Sequence, residues 1–358
     1  MKIELEKWEL KKLIFWFMLL SILGTVFLSY TSWDMYNDKT AEEYYWKSHL
    51  NEEVKNQAYV DEISKNATEV TVGSYIETLK EINMKTSSFT MIAKVWFVWD
   101  GKKDLDMMNH FHVYNGVLNK LIPQRDEIIN GKHYQLCRIN ITVSKNFWTK
   151  RFPLESHQLR FYLEPDYGIR KVKLKADSGK SGVSSGLSYA GYNFVRSADS
   201  IKTMEYENSF GTDNKTGDVT SEYMSQIEIN RSGLGVYLKC FIALFGTSLW
   251  IFITVYICTY HRVDPLGMIP AALFGTVSNI MVGANLLPDA LDIGLLEYVN
   301  TWGVFTILFG AVIIININRI RTKFKDYEYA TLYGRIMFYT LLFFVVMGHL
   351  ILPIAAFM

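Results

Sequence analysis

The sequence predicts an α+β membrane protein, in which one N-terminal transmembrane helix precedes an extracellular antiparallel β-sandwich that is followed by a four-helix transmembrane bundle. Long apolar runs occupy the first 30 residues and the region after Gly233, whereas residues 32–231 are polar and alternate with a period of two. The 358 residues are 49% hydrophobic with a formal net charge of +1. This composition excludes a disordered chain and a nucleic-acid-binding protein.

Five segments are predicted to cross a bilayer, because about 20 apolar residues at 1.5 Å each cover a hydrocarbon layer of roughly 30 Å. They are residues 13–30, 236–260, 265–287, 299–317 and 336–357. A cleaved signal peptide is the alternative for the first segment. Its long apolar run and the lack of a small-x-small cleavage site favour a retained anchor.

Basic residues indicate the orientation of these segments. They precede the first segment and lie between the second and third and between the fourth and fifth, at Lys11, Lys12, His261, Arg262, Arg319, Arg321, Lys323, Lys325 and Arg335. The loop 288–297 has three acidic residues and no lysine or arginine. The positive-inside rule therefore predicts a cytoplasmic N-terminus in a plasma or inner membrane, with residues 32–232 and the C-terminus extracellular or periplasmic.

We assign residues 1–31 to the anchor, 32–68 to a spacer helix, 69–232 to the sandwich and 233–358 to the channel-type helices. A capping-box pattern from Thr40 to Glu43 predicts a helix start, with the helix continuing to Ile63. Seven later stretches alternate or are rich in β-branched and aromatic residues: 69–82, 87–100, 133–147, 157–165, 170–177, 192–206 and 220–231. This spacing of short strands is typical of a β-sandwich.

Patterns for catalysis or metal binding are not found in the sequence. The seven histidines are scattered, and Cys137, Cys240 and Cys258 form neither a zinc-type spacing nor a disulfide framework. The sequence therefore predicts no enzyme, no metal site and no cofactor, and the three cysteines are interpreted as structural thiols.

The segment PLGMIPAALFGTVSNIMVGANLLPD is predicted to be a pore helix. Thr276, Ser278 and Asn279 are polar where a helix in lipid has bulky apolar residues, which indicates a face toward water or protein. If several copies surround an axis, helical spacing selects as pore-lining residues Leu266, Ile269 or Pro270, Leu273, Thr276 or Val277, Ile280 and Ala284. Apolar rings of this kind gate by dewetting.

Asp264 precedes this segment. A ring of such carboxylates favours cations, whereas a ring of Arg262 favours anions, and an aspartate at a helix start is also a common cap. Pro270 is expected to kink or loosen the pore helix because it removes one backbone hydrogen bond.

Two stretches of the exterior domain resemble the pentameric ligand-gated ion channels, the Cys-loop receptor superfamily. VTVGSYIETLKEINMKTSSFTMIAKVWFVWDG is similar to the first two strands of that family. NFWTKRFPLESHQLRFYLE is similar to its signature loop, with Phe152 and Pro153 as the aromatic-proline pair and Glu155 where aspartate is usual. Lys145 and Leu159 stand at the cysteine positions, so the chain is closer to prokaryotic members that lack the loop disulfide.

Two further matches follow in the expected order. Arg231 stands just before the first channel helix, and LLPD is similar to the end of the prokaryotic pore helix. The resemblance covers residues 69–358 and implies a homopentamer in a lipid bilayer that conducts ions and is opened by a small agonist or by protons. Asp264 adds a weak preference for cations. A non-conducting receptor or assembly protein that retains the fold is the alternative; Pro270 and the additional anchor are its support.

The resemblance also implies the coupling and agonist residues. Glu155 is expected to pair with Arg231, and the loop of Phe152 and Pro153 to press on a linker that includes Pro288 and Asp289. Agonist is expected at subunit interfaces, with candidate aromatic residues Tyr167, Tyr189, Tyr206, Phe210 and Tyr223. Aromatic cages suit cationic amines; protons, amines and metal ions all remain open, as does a purely structural role for each tyrosine.

Overall fold

The computed structural model describes residues 6–50, 57–101, 105–208, 218–287 and 293–357, with the side chains of 282–286 left aside. The chain divides into two compact units. The helical unit consists of residues 1–41, 149–155 and 233–358, and the β unit consists of residues 42–148 and 156–232. The predicted order of an N-terminal helix, β-strands and then apolar helices is therefore present.

The β unit contains ten strands among the described residues. They are β1 Thr68–Asn83, β2 Ser88–Trp99, β3 Phe111–Val113, β4 Gly116–Ile129, β5 Lys132–Ser144, β6 Ser156–Pro165, β7 Val172–Ala176, β8 Gly182–Val183, β9 Tyr192–Glu205 and β10 Val219–Arg231. One sheet has the order β4-β5-β2-β1-β7, with β8 also paired to β1; the other has the order β3-β6-β10-β9.

The core of this unit is formed by strands whose side chains alternate between the interior and the surface. In β2 every second residue is buried, as a period of two requires of a strand with one face inward. Val72 and Phe97 from the first sheet pack in one apolar cluster with Phe161 and Ile227 from the second. The two sheets therefore enclose a common core, which is the arrangement of a β-sandwich.

The sandwich differs from the prediction in two respects. The short strands β7 and β8 pair with β1 in parallel, so the fold is not purely antiparallel. The strands β3, β4 and β8 were not predicted. The 14 residues of β4 form a sheet edge with mostly exposed side chains, and Pro123 interrupts them, so this strand has neither apolar alternation nor a β-rich composition.

The N-terminal helix, α1, runs without a break over Lys7–Leu50, and a short helix, α2, follows at Gln57–Ile63. The predicted helix start at Thr40 is wrong, because its hydroxyl donates to the Tyr36 carbonyl 2.9 Å away within α1. Without a breaking residue near 31, the anchor and spacer helix join as one helix. The division between the two units falls inside it, at residues 41 and 42.

Four further helices belong to the helical unit: α3 Gly235–His261, α4 Ile269–Leu286, α5 Leu295–Arg319 and α6 Tyr327–Phe357. A 3-10 turn at Leu266–Met268 precedes α4, and a π-helical turn at Ile320–Phe324 follows α5. Because α6 begins at Tyr327, the connection between α5 and α6 is shorter than the loop expected from residue 318 to 334.

Helices α1, α3, α5 with its π-turn, and α6 are long and apolar enough to cross a membrane, whereas α4 is apolar but shorter, among the residues that the structure describes. At 1.5 Å per residue, the 18 residues of α4 are about 27 Å long, close to the roughly 30 Å of a hydrocarbon core. Leu13 and Leu20 of α1 belong to the same apolar cluster as Ile313 of α5 and Leu341 of α6. The additional helix is thus packed into the helical unit.

Candidate functional site

Helix α4 has one buried face, which packs on α3 and α5. Thr276 and Asn279 are buried, and the Asn279 Nδ2 donates to Asn300 Oδ1 of α5 at 2.8 Å. A Cβ at Gly275 would clash with Thr247 Oγ1 of α3, so glycine is needed for this close approach. Trp250 Nε1 of α3 also donates to the Met268 carbonyl at 3.1 Å.

The opposite face of α4 is exposed in the single chain. Leu273, Val277 and Ile280 are 43%, 53% and 45% exposed, and Phe274 and Met281 lie on the same side. At 100° per residue these positions, together with Pro270, Ala271 and Ser278, span about half of the helix circumference. We define this set, with Leu266 of the preceding turn, as the exposed arc of α4.

Most of the predicted pore residues lie on this arc, with two exceptions. Thr276 is buried against neighbouring helices, so of the pair Thr276 and Val277 only Val277 is available to line a pore. Ile269 is half-buried in the apolar cluster of the helical unit, which favours Pro270 of the other pair. The side chain of Ala284 lies outside the described ones.

Pro270 lies near the start of α4, directly after the 3-10 turn, and not in the interior of the predicted helix, where it was expected to kink or loosen a turn. It occupies the first turn of the helix, where the backbone N–H that proline lacks has no partner inside the helix. Asp264 lies before the 3-10 turn and is exposed, and its Oδ1 accepts the Leu266 N–H at 3.1 Å. Asp264 thus bonds to the 3-10 turn from one residue before its N-cap, Pro265, and does not cap α4 itself, whose N-cap is Met268.

The segment 149–155 of the predicted signature loop belongs to the helical unit, and α1 holds it there. Lys150 Nζ lies 2.8 Å from Asp34 Oδ1, and Arg151 Nε lies 2.9 Å from Asp38 Oδ2. The second of these pairs is almost fully buried, with side-chain exposures of 2% and 6%. Because Lys150 and Arg151 are each bonded to α1, the loop and the N-terminal helix form one polar cluster.

Two other helices meet the same loop. The Leu295 N–H at the start of α5 donates to the Lys150 carbonyl at 2.7 Å, and Arg151 Nη1 reaches the Ala356 carbonyl of α6 at 3.4 Å. A Cβ at Gly294 would clash with the backbone of Lys150, so this position needs glycine. The loop thus joins α1, α5 and α6.

The predicted coupling residues occupy different units. Phe152, Pro153 and Glu155 are buried in the helical unit, and the Phe152-Pro153 peptide bond is cis. Arg231 belongs to the β unit, where its guanidinium lies 4.1 Å from the ring centre of Tyr192. The pairing of Glu155 with Arg231 therefore stays a prediction.

The other two coupling residues, Pro288 and Asp289, lie outside the described residues.

The four described candidate agonist tyrosines lie in different environments. Tyr223 is fully buried in the sandwich core, where its hydroxyl lies 2.9 Å from Ser74 Oγ and burial raises its pKa to about 12. It cannot line an open ligand site. Tyr189 packs against the core, and its hydroxyl accepts the Ile82 N–H at 3.2 Å.

Tyr206 and Tyr167 flank a group that we call the acid-histidine cluster: His110, His112, Glu164 and Asp166. The Tyr206 hydroxyl donates to Glu164 Oε2 at 2.7 Å, and burial together with this hydrogen bond raises the pKa of Tyr206. His112 links the two acids, with Nδ1 2.9 Å from Asp166 Oδ1 and Nε2 3.9 Å from Glu164 Oε2. The rings of His110 and Tyr167 lie 5.1 Å apart.

This cluster offers carboxyl oxygens and imidazole nitrogens as hydrogen-bonding groups, and the side chain of His112 is 51% exposed. The face of Tyr167 already carries a cation, since Lys171 Nζ lies 3.6 Å from its ring centre. Phe210 lies outside the described residues. Within the described ranges, no group of three or more histidine, cysteine or acidic side chains is arranged to hold a metal ion.

The contacts of α1 were missed by the sequence reasoning, although a signal for them exists. Asp34, Asp38 and Glu42 recur every four residues, which places three carboxylates along one helical stripe. An amphipathic spacer facing water has no need of such a stripe. The stripe therefore predicts a partner with matching cations. For Asp34 and Asp38 this partner lies more than 100 positions away in the chain, at Lys150 and Arg151.

Neither protein-family models nor curated proteins give a match to this chain. Function therefore has to be inferred from the sequence and from the geometry of the two units.

Proposed function

We propose that the chain is the subunit of a homopentameric, ligand-gated ion channel with a preference for cations, similar in type to the pentameric ligand-gated channels, in which α4 lines the pore. The exposed arc of α4 is the observation that carries this proposal. Half of a helix that is otherwise packed tightly against α3 and α5 is left uncovered by the described residues of its own chain.

A symmetric ring of copies uses both parts of this arc. The stripe of Leu273, Val277 and Ile280 faces the axis and forms apolar rings, and the adjoining Phe274 and Met281 are covered by a neighbouring subunit. Rings of large apolar side chains exclude water from a narrow pore, which keeps it closed until the helices move apart.

The charge preference rests on Asp264. Its carboxylate is exposed just before the 3-10 turn that leads into α4, and its Oδ1 accepts the Leu266 N–H. Five such carboxylates around an axis attract cations and repel anions. By the positive-inside rule this ring lies at the cytoplasmic mouth, and the sandwich lies outside the cell.

Agonist recognition is proposed at the acid-histidine cluster with Tyr206 and Tyr167. Buried Glu164 and half-exposed Asp166 place two carboxyl groups beside the imidazole of His112. The two carboxyl groups, together with the aromatic rings of Tyr206 and Tyr167, favour a cationic amine as the agonist over an anion.

The alternative of a non-conducting receptor loses one of its supports. Pro270 lies in the first turn of α4, where it leaves the helix intact. The packing of the described side chains of α4, residues 269–281, is compatible with its use as a pore helix.

The proposal is tested by recording currents from reconstituted Leu273→Ala without any agonist. Shortening five isobutyl side chains to methyl groups in the Leu273 ring is expected to admit water and to give spontaneous current, with a reversal potential that reports cation preference in a salt gradient. Leu350→Ala is the matched control, because Leu350 is also an exposed leucine but lies on α6. It is expected to stay silent.

Cross-linking of the same samples measures the oligomeric state, and five copies are expected. Silence of Leu273→Ala in assembled pentamers contradicts a gated pore, as does equal current from Leu350→Ala. Anion-selective current would contradict only the role proposed for Asp264 and would leave the gated pore standing.

A further inference from the structure

Helix α1 is much longer than a membrane anchor requires. Its 44 residues extend about 66 Å, roughly twice the thickness of a hydrocarbon core. Residues 7–31 pack on α5 and α6, where Phe27 stacks on Trp302 and the Tyr329 hydroxyl donates to the Glu9 carbonyl at 2.8 Å. The helix then continues for five more turns as a polar segment.

Within the helical unit, this polar segment carries two carboxylates of the acidic stripe. Asp34 accepts from Lys150 Nζ and from the Tyr298 hydroxyl of α5, each at 2.8 Å. Asp38 pairs with Arg151 in a buried site. A buried pair is costly to break on one side, so the position of the loop 149–155 depends on α1.

Within the β unit, the last two turns of the same helix are bonded to strands. Glu42 accepts from Ser156 Oγ at 2.8 and 2.9 Å, and its backbone carbonyl accepts from Gln158 Nε2 at 2.8 Å. Glu43 accepts a bidentate pair of hydrogen bonds from the guanidinium of Arg196 of β9. The Arg196 guanidinium lies 4.4 Å from the ring centre of Trp46.

An anchor needs none of these contacts. A continuous helix shortens or bends only at an energetic cost, because each residue is held by an i to i−4 hydrogen bond. Hydrogen bonds join this helix to β6 and α5, and ion pairs join it to β9 and to the loop 149–155. A helix held in this way at both ends can pass displacement along its axis.

We propose that α1 is a coupling element of the channel, and that Asp34, Asp38 and Glu42 are positioning residues that tie the movement of the sandwich to the loop 149–155. This inference rests on the proposed function. It assigns gating to a helix outside the region of family resemblance, for which a membrane anchor was the expected role.

The test measures the open probability in the Leu273→Ala background, which needs no agonist. Asp34→Asn removes one charge from a half-buried pair and keeps the side-chain shape. It is expected to change the open probability by about fivefold or more, the lower end of typical coupling. Asp34→Lys combined with Lys150→Asp reverses the pair and is expected to return the value toward that of the background. Lys39→Gln, a charge change on another face of α1, is the control.

The outcomes separate the two proposals. A silent Leu273→Ala background overturns the proposed channel and the coupling role with it. Unchanged open probability for Asp34→Asn in a conducting background overturns the coupling role alone, as does an equal change for Lys39→Gln. The inference is also overturned if Asp34→Asn changes the open probability but the reversed pair does not restore it in pentamers that assemble normally. That result shows that the ion pair does not carry the effect.

Discussion

Replacement of Asn279 by leucine tests how α4 is held against α5. The Asn279 Nδ2 donates to Asn300 Oδ1 at 2.8 Å, and both residues are more than nine-tenths buried. Leucine has the same number and branching of side-chain heavy atoms as asparagine, so Asn279→Leu removes the donor without opening a large cavity. Asn300 is then left with an unpaired carbonyl oxygen in an apolar setting.

The magnitude follows from two reference values. An unsatisfied buried polar group costs about 1–3 kcal/mol, whereas hydrogen bonds between transmembrane helices average about 0.6 kcal/mol and reach about 1.7. We expect Asn279→Leu to lower the free energy of unfolding by about 1–2 kcal/mol. The double variant Asn279→Leu with Asn300→Leu removes both polar groups and is expected to be more stable than the sum of the single changes predicts.

The assay is reversible unfolding in mixed micelles, monitored by circular dichroism, for the wild type, both single variants and the double variant. Ser278→Ala, at an exposed neighbouring position, is the control and is expected to stay within about 0.5 kcal/mol of the wild type. Additive effects of the two single changes would refute the reasoning, because they show that the two amides do not interact.

Two further predictions concern other parts of the chain. Gly275→Ala is expected to destabilise the helical unit by about 1–3 kcal/mol, because its Cβ meets Thr247 Oγ1, and Thr247→Ala is expected to restore much of the loss in the same unfolding assay; no rescue contradicts the clash. Burial raises the pKa of Asp199 above its ordinary 3.8, although Ser181 and Ser178 oppose the shift. Since the folded pKa exceeds the unfolded one, the stability from this carboxyl is complete below about pH 4 and is lost as the pH rises through the folded pKa. Asp199→Asn is therefore expected to raise the melting temperature at pH 7 and to reduce the decrease in melting temperature between pH 4 and 7. Parallel curves of melting temperature against pH for the wild type and the variant would show that Asp199 does not titrate in this way.

Patterns that repeat over a few residues were sufficient to predict most of the elements. Seven stretches with a period of two became β1, β2, β5, β6, β7, β9 and β10 within a few residues. They were recognisable because one face of each strand is buried. The edge strand β4 has no such face, so its sequence carries no comparable signal.

The candidate site residues also divide into features that a local sequence pattern predicts and features that only the tertiary packing shows. Helical spacing identified Leu273, Val277 and Ile280 as one stripe, but it could not separate Thr276 from Val277, which differ by 100° on the helix. Burial of Thr276 on the side of α3 and α5 makes that distinction. Similarly, a tyrosine in an alternating strand is compatible with either face, and only the packing shows that Tyr223 is in the core whereas Tyr206 reaches Glu164.

By itself, the sequence determined the order of the elements, the apolar character of the helices and the alternation of the strands, because each of these is a local property of neighbouring residues. Only the tertiary structure decided that the anchor and the spacer are one helix, and that its acidic stripe is bonded to Lys150 and Arg151. Those partners lie more than 110 positions away in the chain. Such pairings depend on how distant segments fold together, and a local pattern contains no information about them.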